Sequence, residues 1–267
     1  MRSKRLLGVL GAVGTLAVLP AAADAQSRGT VTISGSTSVF PLMQPLARAY
    51  VRSEGRGTRF RIAQGGSDVG VADAAAGRVT LGMSSRDPRA GDPGGIVFSR
   101  IARDAVCVIT NSANRVSNIS QQQAQGLFGG TIRDFGAVGG SGGVDVVVRS
   151  APSGTQDAFQ SLFLGSTRPT STAQTVASNG LVQQAVRSNP RAVGYVSLAF
   201  TRGVNVASYQ GVACTLRNAR SGQYPGTRNF FVVSRGRPRG AALAFYRWIR
   251  RDRDAQRIIA DGYVPLR

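Results

Sequence analysis

The sequence predicts an α/β protein with a largely parallel sheet. Short apolar runs rich in Val, Ile and Phe alternate with stretches whose apolar residues recur at helical spacing. Strand–helix alternation builds parallel sheets, because a parallel crossover needs a connection long enough to hold a helix. Length adds a third observation. The chain has 267 residues, which suits two lobes better than one, since single domains commonly run to roughly 100–150 residues.

The elements follow in order. A strand is expected over 31–34, then the turn Gly35-Ser36-Thr37-Ser38, then a helix over about 41–52. Pro41 fits a first helical position, where its missing N–H would be unpaired anyway; Pro45 falls in or just past the first turn. A second strand is expected over 60–63, a short helix over 68–76 ended by Gly77, and a third strand over 79–83 leading into Ser84-Ser85-Arg86. After the apolar stretch 96–110 the pattern restarts with a helix over 120–128, for which Ser120 is a good N-cap. Strands over 144–148, 192–197 and 230–233 and helices over 155–164 and 181–187 complete the alternation. One long amphipathic helix is expected over about 241–260, with Leu243, Phe245, Trp248, Ile249, Ile258 and Ile259 on its apolar face. The glycine-rich segment 136–143 and the segment 167–172 read as surface loops.

Residues 1–25 have the layout of a cleavable secretory signal: Arg2, Lys4 and Arg5, an apolar run over 6–20, and the small-residue site Ala23-Asp24-Ala25. The run is shorter than the about 20 residues a spanning helix needs, and no cysteine follows it to take a lipid. Export to the periplasm is therefore expected. The chain carries 33 Lys and Arg against 13 Asp and Glu, a net charge of +20. Such a field draws in anions. The arginines are scattered, with no basic tail and no nucleic-acid motif, so nucleic acid is not an expected partner. Cys107, inside an apolar run, reads as a buried free thiol. A bridge to Cys214 is open to an exported protein, but sequence cannot supply the geometry.

Absences narrow the chemistry. The chain has no histidine, and Lys4 is its only lysine. A serine nucleophile past that point has no customary base. Histidine ligands are missing, and two cysteines cannot complete a thiolate zinc site. The carboxylates show no dense cluster beyond Asp252 and Asp254, although a carboxylate-only Mg or Ca site stays open. No enzyme, metal or cofactor is expected.

Three segments share one design: Gly35-Ser36-Thr37-Ser38-Val39, Gln64-Gly65-Gly66-Ser67 and Ser153-Gly154-Thr155. Each closes a strand in a turn of Gly, Ser and Thr and leads into a helix or helix-like turn. Unpaired N–H groups and a positive dipole at such an end, with hydroxyls as further donors, suit an oxyanion. Taken singly, each could be plain capping. Arg149, four residues before Ser153, adds a guanidinium able to grip two phosphate oxygens.

The segment Val31 to Pro41 resembles the opening strand and loop of the phosphate-binding components of phosphate ABC transporters. Gln64-Gly65-Gly66-Ser67 with Gly70, Leu81 to Arg86, Arg149 with Ser153-Gly154-Thr155 and Phe159, Ala192 to Ser197, and Ser221 to Pro225 with Arg228 are similar to further motifs of that family, in order. The resemblance implies a two-lobed type II periplasmic-binding fold, each lobe a mixed sheet flanked by helices with the ligand in the cleft between them, and with residues 26–103 plus 229–267 in one lobe and 104–228 in the other. It implies a ligand held by Ser38 with Thr37 or the Val39 amide, by Ser67 and Ser85, and by Arg149, Ser153, Gly154 and Thr155 from the opposite lobe. Implied partners are inorganic phosphate and an inner-membrane ABC permease, with the protein a monomer. Alternatives are a binding protein for sulfate or another oxyanion, and a secreted phosphatase on the same fold. Two departures bear on selectivity. Ser85 stands where some relatives carry an aspartate, and Asp68 stands where a glycine is usual; Asp68 either accepts the ligand's proton or favours a helix start, and the second reading is preferred.

Overall fold

The computed structural model describes residues 29–266, so the expected signal over 1–25 lies outside them. The strands are β1 Gly29–Gly35, β2 Thr58–Ile62, β3 Leu81–Ser84, β4 Ile96–Thr110, β5 Asn118–Ile119, β6 Asp145–Arg149, β7 Gln174–Val176, β8 Ala192–Ser197, β9 Asn205–Val206, β10 Ser208–Tyr209 and β11 Thr227–Arg235. The helices are α1 Phe40–Arg52, α2 Ser67–Ala75, α3 Gln121–Gly129, α4 Gly154–Phe159, α5 Asn179–Ser188, α6 Leu216–Ser221, α7 Gly240–Arg251 and α8 Arg253–Gly262.

The main sheet runs β2-β1-β3-β11-β4-β8-β6-β7, with β9 added beside β4. Its two ends are parallel, as the strand–helix alternation predicts: β2-β1-β3 at one end and β8-β6-β7 at the other. The middle is antiparallel, so the sheet is mixed, as the resemblance implies, where alternation alone predicts a largely parallel one. The cause is the long strand β4. Residues 96–105 pair with β11, and residues 106–110 pair with β8. β4 therefore carries the chain from one half of the molecule into the other, and β11 brings it back.

Each half has its own core. In the first, β1, β3 and the early part of β4 pack on α1, α7 and α8 through Tyr50, Phe230, Phe245, Trp248 and Ile259; the Phe60 and Phe245 rings meet edge to face at 4.7 Å. In the second, β4, β6 and β8 pack on α3 and α4 through Phe128, Phe159, Phe163 and Tyr195. Val182 and Val186 of α5 cover the opposite face. Burial of such apolar faces is what holds each half together.

Three expectations need correction. The long helix over 241–260 is two helices, because Asp252 leaves the helical path and its carboxylate accepts the amides of Asp254 and Ala255 at 2.8 and 3.1 Å. An aspartate gains more as an N-cap than in a helix interior. The helix over 155–164 changes at Phe159 into a wider π turn, Gln160–Leu164, closed by the Gly165 amide on the Gln160 carbonyl. Cys107 is not a free thiol: it is bonded to Cys214. The bridge ties β4 to the segment before α6 and closes a loop of 107 residues, worth about 4–5 kcal/mol on a chain-entropy account. The short strands β5, β7, β9 and β10 and the helix α6 had no predicted counterpart.

Candidate functional site

The predicted loops converge where the two halves meet. β1 ends at Gly35, and Ser36 folds the turn: its hydroxyl accepts the Ser38 amide at 3.2 Å and the Val39 amide at 3.4 Å. This aims Thr37 and Ser38 toward the other half while Val39 enters the core. Ser67 opens α2, directly after Gly66, whose φ of 96° no ordinary side chain adopts readily. A Cβ at Gly66 would also lie 2.6 Å from the Pro152 carbonyl oxygen. Glycine there lets the two halves touch, and the Asp68 amide donates to the same carbonyl at 3.3 Å. Ser85 follows β3. Its amide donates to Ser67 Oγ at 3.0 Å, and the two hydroxyls are 3.2 Å apart.

The opposite half supplies the end of β6 and the start of α4. Ser153 caps α4 by accepting the Gln156 amide at 3.2 Å, so its hydroxyl serves the helix start. Gly154 packs directly on Ser67 and leaves no room for a side chain. Thr155 Oγ1 shares a 2.8 Å hydrogen bond with Ser38 Oγ. The Arg149 amide donates to Tyr195 Oη at 2.8 Å, and Tyr195 lies flat on Phe159 with ring centres 3.9 Å apart. Aromatic packing in the second core thus fixes where β6 ends.

Arg149 carries the sharpest signal. It is buried, and only Nη2 has a partner, the Ala177 carbonyl at 2.8 Å. Its Nε and Nη1 have no hydrogen-bond partner among the described residues. Burial, with Arg228 nearby, pushes its pKa down to about 10, which still leaves it charged near neutral pH. A buried cation without a counter-charge costs free energy, and two forked donors on that cation are suited to the paired oxygens of an oxyanion.

Three further residues of the junction were not among the expected ligand contacts, Arg228 having been noted only within a family motif. Arg228, at the start of β11, donates to Ser38 Oγ at 2.8 Å, to Ser85 Oγ at 3.4 Å and to the Gly154 carbonyl at 3.3 Å. It therefore joins the turns that follow β1 and β3 to the start of α4. Asp104 of β4 holds it with contacts of 3.0 and 2.9 Å, and both side chains are almost wholly buried. Burial pushes the Asp104 carboxyl up, against the pull of Arg228. Asn179, the first residue of α5, donates to Thr37 Oγ1 at 2.9 Å and Ser38 Oγ at 2.8 Å, while its Oδ1 accepts the Ser197 amide at 3.0 Å. Ser197 Oγ in turn donates to Asp104 at 3.0 Å. Arg228 left a trace in the sequence as part of a family motif, and Asp104 as a carboxylate in the apolar stretch 96–110.

At the rim of this junction, Arg86 collects carboxylates that the sequence left scattered. It meets Asp68 at 2.6 Å, Asp92 at 2.5 Å and, from α4, Asp157 at 3.7 Å. Arg89 reaches Asp68 at 2.9 Å and Asp157 at 3.4 Å. Asp68 does lie in the first turn of α2, and both its oxygens are taken by arginines. Burial opposes ionisation of Asp92, but the Arg86 hydrogen bonds and the Arg89 amide win and hold it below the usual carboxylate range. Asp157 is pushed the other way, by burial and then by Asp68.

The residues that converge are therefore Thr37, Ser38, Ser67, Ser85, Arg149, Gly154 and Thr155, with Val39 and Ser153 shaping the helix starts. The inner wall holds two guanidiniums against one carboxylate, an arrangement that favours an anion.

The chain is similar to several known proteins. A phosphate-binding protein PstS of Bacillus subtilis is 25% identical over 250 residues, covering 91% of this chain and 83% of that protein. A crystal structure of a phosphate ABC transporter substrate-binding protein from Clostridium perfringens, described with bound phosphate, superposes with a TM-score of 0.84 at 28% identity, covering 90% of this chain and all of the other. An ABC-type phosphate transport receptor from Vibrio cholerae matches with a TM-score of 0.70 at 27% identity, over 88% of this chain and all of that one. The model of the PBP superfamily domain matches residues 20–253. This chain belongs to the PBP superfamily.

Proposed function

We propose that the protein captures inorganic phosphate between its two halves and delivers it to an inner-membrane ABC permease. The observation that carries this reading is the buried Arg149 guanidinium with Nε and Nη1 unpartnered. The names of the relatives above support the choice of anion. The mechanism is capture without chemistry. Arg149 offers its free fork, Arg228 and Asn179 redirect donors now spent on hydroxyls, and Ser38, Ser67, Ser85 and Thr155 complete the coordination. Among the described residues, 29–103 with 229–266 form one lobe and 104–228 the other; hinging about the two crossing strands admits and encloses the ion. The chain acts as an exported monomer. The positively charged, apolar, small-residue order of 1–25 and the Cys107–Cys214 bridge both fit an oxidising compartment.

Selectivity for phosphate over sulfate falls to hydroxyls. The one carboxylate on the inner wall, Asp104, is committed to Arg228 and Ser197. A serine hydroxyl accepts as well as donates, so Ser85 or Ser38 can accept a hydrogen bond from the protonated oxygen of hydrogen phosphate, which sulfate lacks. The test is calorimetric titration of ligand-stripped, refolded protein with phosphate and with sulfate. Phosphate is expected to bind at least about tenfold more tightly, a difference of about 1.4 kcal/mol. Equal affinities, or sulfate binding alone, overturn the assignment.

A further inference from the structure

At the end of β11 remote from Arg228, the surface changes character. Residues 227–251 contain no Asp or Glu, and Arg235, Arg237, Arg239, Arg247, Arg250 and Arg251 are all exposed. They line two hollows of about 470 Å³ each, one between β4 and α7 and the other beside the turn after β11. The hollows share Arg237 and Pro238, so they form one strip. None of the six arginines makes an ion pair among the described residues. Arg250 is held in place by donating to Tyr246 Oη at 3.1 Å and by lying over its ring. Asp252, the nearest carboxylate in the sequence, is spent on capping α8.

We propose that this strip binds inorganic polyphosphate, a linear chain of closely spaced phosphate groups. One exposed guanidinium contributes little to any ion pair, so a single small anion gains no useful affinity here. A chain of closely spaced charges engages several arginines together and releases its counterions. Arginine rather than lysine favours phosphate oxygens, which it grips in pairs. The strip is concave, and its exposed large hydrophobic residue is Val97. A surface that lies in a bilayer turns Trp, Phe or Leu outward, but Trp248 of α7 is buried. Arg235 is seven residues from Arg228 along β11, about 23 Å at strand spacing, so the strip and the anion site between the halves are separate.

The test measures binding of a fluorescent inorganic polyphosphate to the full chain across a salt series. The variant R237A/R247A/R250A/R251A is expected to lower the slope of log affinity against log salt by about 3, taking about 0.7 for each phosphate no longer neutralised. A charge-matched control, R56A/R115A/R168A/R202A, removes four exposed arginines elsewhere and is expected to change the slope by less than about 1. Phosphate titration confirms that each variant is folded, and Arg237→Glu alone gives a second, milder reading in the same direction. Equal losses in both quadruple variants mean that net charge alone attracts the chain, and the proposal fails. It fails also if polyphosphate does not bind, if orthophosphate displaces it, or if vesicles of anionic phospholipid bind through these arginines and polyphosphate does not.

Discussion

Arg149 and Arg228 are both buried guanidiniums at the junction of the two halves, and the protein treats them in opposite ways. Arg228 has a carboxylate of its own, Asp104, and spends its remaining donors on Ser38, Ser85 and a backbone carbonyl. Arg149 has one carbonyl and no carboxylate. The contrast separates two uses of a buried cation. A pair such as Arg228–Asp104 gives the fold a fixed geometry and leaves little net charge to offer. An unpaired cation is a standing cost to the folded state, and a structure keeps it where a partner from outside removes that cost. The two differ in what should happen when each is disturbed.

The largest effect is expected at Asp104. Asp104→Ala strands Arg228 in the interior without its counter-charge, and breaking such a buried pair costs about 3–5 kcal/mol of stability. Denaturant unfolding in the absence of phosphate measures it. Arg149→Ala should do the reverse. It removes an unpaired buried charge, so stability without ligand stays the same or rises, while phosphate affinity falls by about 2–5 kcal/mol, the scale for losing one member of a buried charge pair. Calorimetry gives the affinity and unfolding gives the stability. If both variants lost stability alike, Arg149 would be a structural cation and the contrast would be void.

How much of this was legible follows from the range of the interactions. Ser38, Ser67, Ser85 and Thr155 sit at strand ends or helix starts, and Gly, Ser and Thr in a short turn after an apolar run mark such places locally. Arg149 was visible because it closes a strand four residues before a helix start. Arg228, Asn179 and Asp104 owe their roles to contacts across 190, 141 and 124 positions of the chain, and no local pattern sets an arginine with such contacts apart from the exposed ones. The same limit explains the core. Periodicity located the strands and helices, but it could not show that β4 serves both halves, because each stretch of it looks like an ordinary apolar strand. Nor could it show that Asp252 interrupts the last helix, since the apolar face continues in register on both sides of the break. The bridge from Cys107 to Cys214 depends on a distance between Cα atoms, 5.7 Å, that only the folded chain supplies.

Arg86 extends the contrast to a third case, a buried guanidinium with more carboxylates than it needs. Asp92, Asp68 and Asp157 all face it, and Arg89 shares them. Removing one carboxylate should therefore matter less than removing Asp104, because the others stay. Asp92→Asn keeps the shape and loses the charge, and about 1 kcal/mol of stability is expected to go with it, the lower range for a hydrogen-bonded charge. Its pH dependence has a definite sign. The Asp92 carboxyl is held below its ordinary value in the folded protein, so its ionisation stabilises the fold fully above about pH 4, the unfolded value. That contribution drains away as pH falls through the lower folded value. The stability gap between the parent protein and Asp92→Asn should thus be complete at pH 7 and narrow below about pH 4. A gap that stayed constant into the acid range would show that Asp92 acts through shape alone, and Arg86 would then join Arg228 as a cation satisfied by a single carboxylate.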